Sequence, residues 1–142
     1  MPTRNATARW EGDLPSGKGT MMFGGGAFEG QFSASSRFEE GVGTNPEELI
    51  AAAQAGCFSM ALANIIAKAG YEPKSIQTEA QVKIERVDGG FGITHIQINT
   101  RAEIPGISEE EFRQHAETAK ENCPVSKALK AVPKDVNATL VS

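Results

Sequence analysis

The chain carries two thiols in 142 residues, Cys57 and Cys123. A thiolate is a nucleophile, a metal ligand and a redox centre, whereas a buried thiol away from any cation is inert packing. Cys57 lies in the middle of an apolar run, and no Lys or Arg falls within two helical turns of it on either side. A reactive Cys57 therefore needs a cation from another segment. Cys123 differs, because Pro124 disfavours helical geometry at the residue before it. A helix ending there and restarting over residues 124–130 puts Cys123 at or near an N-cap, where the dipole and free N–H groups favour a thiolate. A separation of 66 residues leaves open whether the two sulfurs meet.

Two charged residues join the thiols as candidates. Arg37 sits in Ser36-Arg37-Phe38-Glu39, and Glu47 in the first turn of the long helix described below. Most arginines in such segments are solvated, and first-turn glutamates ordinarily serve the helix dipole. Glu47 and Cys57 stand ten residues apart on one helix, so about 15 Å along its axis. They cannot share an active site within one subunit. If both are catalytic, antiparallel long helices must build the site across a dimer interface. Other patterns carry less. Gly12 to Lys18 reads G-x-x-x-x-G-K, but Gly19 replaces the hydroxyl residue of a phosphate loop and no helix opens after it. His95 and His115 lie far from each other and from both cysteines in sequence, so no metal-ligand spacing emerges. A Cys/His dyad has no spacing to recommend it.

The elements that position these residues are legible. Ala6, Ala8 and Trp10 alternate with Thr7 and Arg9 as in a half-buried strand, and Gly24-Gly25-Gly26 suggests a hairpin turn. Thr44-Asn45 offers N-cap side chains, Pro46 suits the first helical position, and Thr44 with Glu47 fits a capping box. The helix runs to about Ala69, with Gly70 as its stop. It is apolar nearly all round and so needs cover on every side, which a sheet and a partner subunit would supply. Ile76, Thr78, Ala80, Val82 and Ile84 share one strand face; after Asp88-Gly89-Gly90, Thr94, Ile96, Ile98, Thr100, Ala102 and Ile104 share another. One wet face and one buried face describe an antiparallel sheet. A second helix starts at Ser108, with Glu111 completing a capping box, and a last strand spans about Val136 to Val141. The fold class is α+β: an antiparallel sheet wrapped on a long buried helix and a broken second one, in a single domain over residues 1–142.

Composition narrows the function classes. A net charge of −4 with no basic stripe argues against nucleic-acid binding. The first twelve residues hold no apolar core of a secretory signal, so the expectation is a cytoplasmic protein whose thiols are kept reduced. Residues Leu49 to Ala67 carry no charge over 19 positions, near the length of a membrane span. Seven of them are Ala, and Gln54, Gly56, Ser59 and Asn64 interrupt the rest, so a helix covered by protein is expected rather than a membrane span.

Four blocks, in order and well spaced, carry a resemblance. They are Arg37-Phe38-Glu39; Gly43-Thr44-Asn45-Pro46-Glu47-Glu48-Leu49; Ala55-Gly56-Cys57-Phe58-Ser59-Met60-Ala61-Leu62; and Cys123-Pro124-Val125-Ser126. With Arg9-Trp10-Glu11-Gly12-Asp13 near the start, the chain resembles the OsmC/Ohr family, the osmotically inducible and organic hydroperoxide resistance proteins, nearer the OsmC branch. The resemblance implies an intertwined homodimer with sheets wrapped around two central helices and the active site at the interface. It implies Cys57 as the peroxidatic and Cys123 as the resolving cysteine, with Arg37 and Glu47 as the activating pair. It further implies an organic hydroperoxide as substrate and a dithiol reductant, a lipoylated protein in the family, with no metal, haem or flavin. Phe38, Phe58, Met60 and Leu62 would suit alkyl or lipid hydroperoxides better than hydrogen peroxide. The rival expectation is a dimeric, non-enzymatic binder of small apolar molecules, or a thiol redox sensor, with the same fold.

Overall fold

A computed structural model describes residues 1–141 and divides the chain into two compact units, Met1–Leu49 and Ile50–Ser142. In the first unit, β1 (Ala6–Glu11), β2 (Lys18–Phe23) and β3 (Phe28–Phe32) form an antiparallel sheet in that order. The triple glycine makes a 3-10 turn between β2 and β3, its three residues at φ 66°, 65° and 95°, where a side chain would be strained. The strand expected around Trp10 is present, but its half-buried face is not: all six residues of β1 are exposed in the single chain. A short helix α1 (Ala34–Phe38) follows, capped reciprocally by Ser33 and Ser36.

The long helix α2 (Pro46–Lys68) starts as the Pro46 signal required, though not with the expected box. Asn45 is the cap, its Oδ1 accepting from Glu48 N–H at 2.8 Å, while Thr44 Oγ1 donates to Glu48 Oε1 at 2.9 Å. Glu47 is thereby left out of the capping. At the other end Gly70, at φ 96°, closes a Schellman motif: Tyr71 N–H reaches Ile66 O at 3.2 Å and Gly70 N–H reaches Ala67 O at 3.0 Å.

The second unit holds most of α2, β4 (Ser75–Val87), β5 (Gly90–Glu103), α3 (Glu109–Asn122), α4 (Pro124–Ala128) and β6 (Lys134–Val141). β4 and β5 pair antiparallel around an Asp88-Gly89 turn, both residues at positive φ. β6, however, pairs with β5 in parallel, so this sheet is mixed and not the all-antiparallel sheet expected. The helical pair α3–α4 intervenes between β5 and β6, and such a crossover returns the chain parallel. Ser108 caps α3 through Glu111 N–H at 3.2 Å, but the expected box does not close. The Glu111 carboxylate goes instead to Tyr71 Oη at 2.8 Å and His115 Nε2 at 3.2 Å.

Gln54, Phe58, Leu62 and Ile66, four residues apart on α2, face inward, and the last three form the core with Ile96, Ile98, Ala102, Phe112, Ala116 and Ala119. Ser59 Oγ ties α2 to the sheet through Thr78 Oγ1 at 2.7 Å, and Thr78 meets Thr100 at 3.0 Å. Cover on every side is absent in one chain. Ala52, Ala53, Gly56, Met60 and Asn64 form an open stripe along α2, with Met60 77% exposed. By length and composition α2 also qualifies as a membrane span, the one such helix among the described residues, but its inward stripe is buried against protein.

Candidate functional site

Each unit contributes one set of groups capable of chemistry. In the first, α1 aims Arg37 at Glu47. The guanidinium donates from Nε to Oε1 and from Nη2 to Oε2, both at 3.0 Å, a bidentate pairing that fixes the plane of the fork. The Glu47 side chain is 8% exposed and that of Arg37 36%. The connection between α1 and α2 is held so that these groups meet. Ser36 Oγ donates to Thr44 O at 2.7 Å, Asn45 Nδ2 donates to Ser36 O at 2.9 Å, and Thr44 N–H bonds Gln31 O at 2.8 Å. Gly43 sits inside that connection at φ 119°, where a Cβ would come within 2.4 Å of Gln31 O. Nη1 of Arg37 has no hydrogen-bond partner among the described residues, which leaves a donor beside the pair. The guanidinium also lies over the Phe38 ring, 5.2 Å from its centroid.

In the second unit the two thiols come together. Cys123 ends α3 and caps α4, at φ −64° and ψ 142°, the extended conformation that Pro124 favours. Its Sγ accepts from Ser126 N–H at 3.4 Å, as an N-cap side chain does at N3. The next free amide of α4, Val125 N–H, points at Cys57 Sγ at 3.5 Å. One helix N-terminus thus serves both sulfurs. Cys57 is half-buried and Cys123 fully buried, and no disulfide joins them. Burial pushes the Cys57 thiol up, the Val125 N–H opposes this, and the neighbouring Cys123 adds to the rise. No cation is among these causes, as the sequence of α2 led one to expect.

Two further residues complete the cluster. Gln54, three positions before Cys57 on α2, is fully buried. Its Nε2 donates to Ser126 Oγ at 2.9 Å and to Cys123 Sγ at 3.4 Å. Its Oε1 is buried with no hydrogen-bond partner, a cost of about 1–3 kcal/mol. Ser126 Oγ lies 3.1 Å from Cys123 Sγ. Sequence reasoning did not single out either residue. The available signals were a lone amide on an otherwise apolar i, i+4 stripe, and a serine three residues after a capping cysteine.

The remaining candidates lie elsewhere. His95 Nε2 is 2.8 Å from Asp135 Oδ2 on the β5–β6 surface, and His115 meets Glu111 on α3. The G-x-x-x-x-G-K stretch is the turn from β1 into β2, with a strand and not a helix after it. Among the described residues no three of His, Cys, Asp and Glu cluster as a metal site.

Comparison with known proteins places this geometry in context. The family model described as OsmC-like protein matches residues 39–137. Peroxiredoxin OsmC of Escherichia coli (strain K12) is 46% identical over 129 residues, 90% of either chain. The crystal structure of the organic hydroperoxide resistance protein OhrB of Bacillus subtilis superposes with a TM-score of 0.69 at 27% identity, covering 96% of this chain and 98% of that one. An OsmC-like protein of unknown function from Vibrio cholerae gives a TM-score of 0.75 at 20% identity over 99% and 100% of the two chains, a likeness of fold.

Proposed function

This chain belongs to the OsmC-like protein family, and from that premise we propose that it is a thiol-dependent peroxidase reducing organic hydroperoxides to alcohols. The observation that carries the reading is the meeting of two free cysteines at one helix N-terminus, the half-buried Cys57 beside the buried Cys123. The names of the relatives, a peroxiredoxin and an organic hydroperoxide resistance protein, support the same class of chemistry.

The Cys57 thiolate attacks one peroxide oxygen, the O–O bond breaks, and the alkoxide leaves as an alcohol after taking up a proton. Cys57 is then a sulfenic acid. Cys123 displaces its hydroxyl as water and the Cys57–Cys123 disulfide forms. A dithiol reduces it by exchange, and a lipoylated protein is the donor we assign. The missing cation is Arg37 of a second copy. Ten residues of helix separate Glu47 from Cys57, about 15 Å. Antiparallel packing of two α2 helices along their open stripes brings each Arg37–Glu47 pair to the other chain's Cys57. The homodimer is therefore the working unit. In it Glu47 fixes the fork while the unused Nη1 faces the thiolate and the peroxide oxygens. We place the reaction in the cytoplasm, where thiols are kept reduced.

The test follows consumption of cumene hydroperoxide by the purified protein with a dithiol. Wild type turns over, Cys57→Ser does not, and Cys123→Ser accumulates a sulfenic acid that dimedone traps. Absence of turnover above the dithiol blank would reject the peroxidase. That result would favour the dimeric binder or thiol sensor, a reading supported by the burial that raises the Cys57 thiol in the single chain.

A further inference from the structure

We propose that Gln54 and Ser126 hold the Cys123 sulfur as the leaving thiolate when the Cys57–Cys123 disulfide is reduced, so that the external reductant bonds to Cys57 and not to Cys123. The inference rests on the two-thiol reading above and concerns the half of the cycle that the peroxide does not reach.

Three observations converge on it. The first is access. Cys123 has no exposed surface, whereas Cys57 is half-buried. A second copy can only remove surface, so Cys123 stays closed to an attacking thiolate in any assembly. The second is the reception prepared for a negative sulfur at Cys123. Gln54 Nε2 and Ser126 N–H both point at its Sγ from 3.4 Å. The Ser126 hydroxyl, 3.1 Å away, accepts from the Cys123 thiol and turns to donate once the proton is gone. A thiolate at this position therefore meets three donors without any heavy atom moving. Cys57 Sγ meets one, the Val125 N–H at 3.5 Å. The third is the unpaired end of Gln54. An amide buried with its Oε1 unsatisfied is a poor residue for a core stripe otherwise made of Phe58, Leu62 and Ile66. Its NH2 group is what it supplies, and both of that group's hydrogen bonds go to the Cys123–Ser126 pair.

The exchange step then has a direction. A thiolate of the dithiol attacks Cys57 Sγ, the Cys57–Cys123 bond breaks, and its electron pair goes to Cys123. The mixed disulfide sits on Cys57. The second thiolate of the reductant attacks the reductant's own sulfur in that mixed disulfide, closing a cyclic disulfide and releasing Cys57 as a thiolate. Two electrons pass from the dithiol to the two cysteines, and the two protons of the dithiol end on them. Leaving-group quality governs such rates along with access, so donors on Cys123 accelerate the first exchange.

The experiment forms the disulfide with diamide, which needs no peroxidase chemistry. The oxidised protein is mixed with 2-mercaptoethanol, quenched in acid, alkylated with N-ethylmaleimide and mapped by peptide mass spectrometry. The expected product carries mercaptoethanol on Cys57 and maleimide on Cys123; the reverse pattern, or an even distribution, overturns the assignment. In parallel, Gln54→Leu and Ser126→Ala are each compared with wild type for two rates, disulfide reduction by dithiothreitol and sulfenic acid formation with cumene hydroperoxide. The ratio of the first to the second is expected to fall about tenfold in each variant. A ratio unchanged in both overturns the proposal, since a merely structural contact would slow the two steps together. Should Gln54→Leu not fold, the smaller change Ser126→Ala, which removes one buried hydroxyl, carries the same comparison. A protein that oxidises with diamide but not with peroxide refutes the peroxidase reading alone, and the adduct map still decides this one. A protein in which diamide forms no disulfide refutes both.

Discussion

Replacing Arg37 by Lys keeps the charge and removes the fork, which isolates what the geometry contributes. In the structure two guanidinium nitrogens are taken by Glu47, both at 3.0 Å, and Nη1 is left over. An ammonium can satisfy Glu47, but it cannot hold that carboxylate in a bidentate plane and present a further donor at a fixed angle. On the proposed role of Arg37, the variant loses about one charge-assisted hydrogen bond at the reacting oxygens, worth about 1.5–3 kcal/mol. At about 1.4 kcal/mol per tenfold, kcat/KM for cumene hydroperoxide is expected to fall roughly 10- to 150-fold. Stability is a poor explanation for such a loss, because Glu47, only 7% exposed, keeps a cation. Arg37→Met would be the wrong test, since stranding that carboxylate costs about 3 kcal/mol or more and risks the fold. The assay is steady-state turnover with a saturating dithiol, with thermal unfolding of both proteins as the control. A kcat/KM for Arg37→Lys within about threefold of wild type, at equal dithiol, would refute the role assigned to the fork.

Three other outcomes follow from the same structure. Met60→Glu, on the open stripe of α2 at 77% exposure, should leave the single chain folded yet yield monomers in sedimentation and abolish peroxide turnover; an active dimer would place the interface elsewhere. In that monomer Cys57 lacks a cation and burial pushes its thiol up, so its iodoacetamide reaction should rise with pH only above the ordinary cysteine range near ~8.5. The wild-type protein, in the proposed dimer, should react well below that range, and coincident pH profiles would show that Arg37 does not act on Cys57. Gln54→Leu should melt no lower than wild type, because it removes the buried, unpaired Oε1. A drop of more than about 5 °C would mean that the amide's bonds to Cys123 and Ser126 hold the fold together.

Much of this molecule is written locally. Period-two alternation placed β4 and β5, Asp88-Gly89 placed the turn between them, Pro46 and Gly70 bounded α2, and Pro124 put Cys123 at the head of α4. These are short-range effects, decided by backbone sterics and by which face of an element is apolar, so a single sequence carries them. The four candidate residues were reachable too, the thiols by type and Arg37 with Glu47 by family resemblance. What the chain alone did not disclose depends on contacts between distant segments. Glu47 reads as a capping residue until Arg37, ten positions earlier, is folded onto it and Asn45 with Glu48 takes over the cap. β6 could have paired in either direction; the α3–α4 crossover sends it back parallel. Gln54 could only be assigned once Cys123 and Ser126 stood beside it, 69 and 72 residues away in sequence. Spacing along a chain measures distance within one helix or strand. Between segments, only packing of the apolar faces decides which sulfur, amide and carboxylate meet.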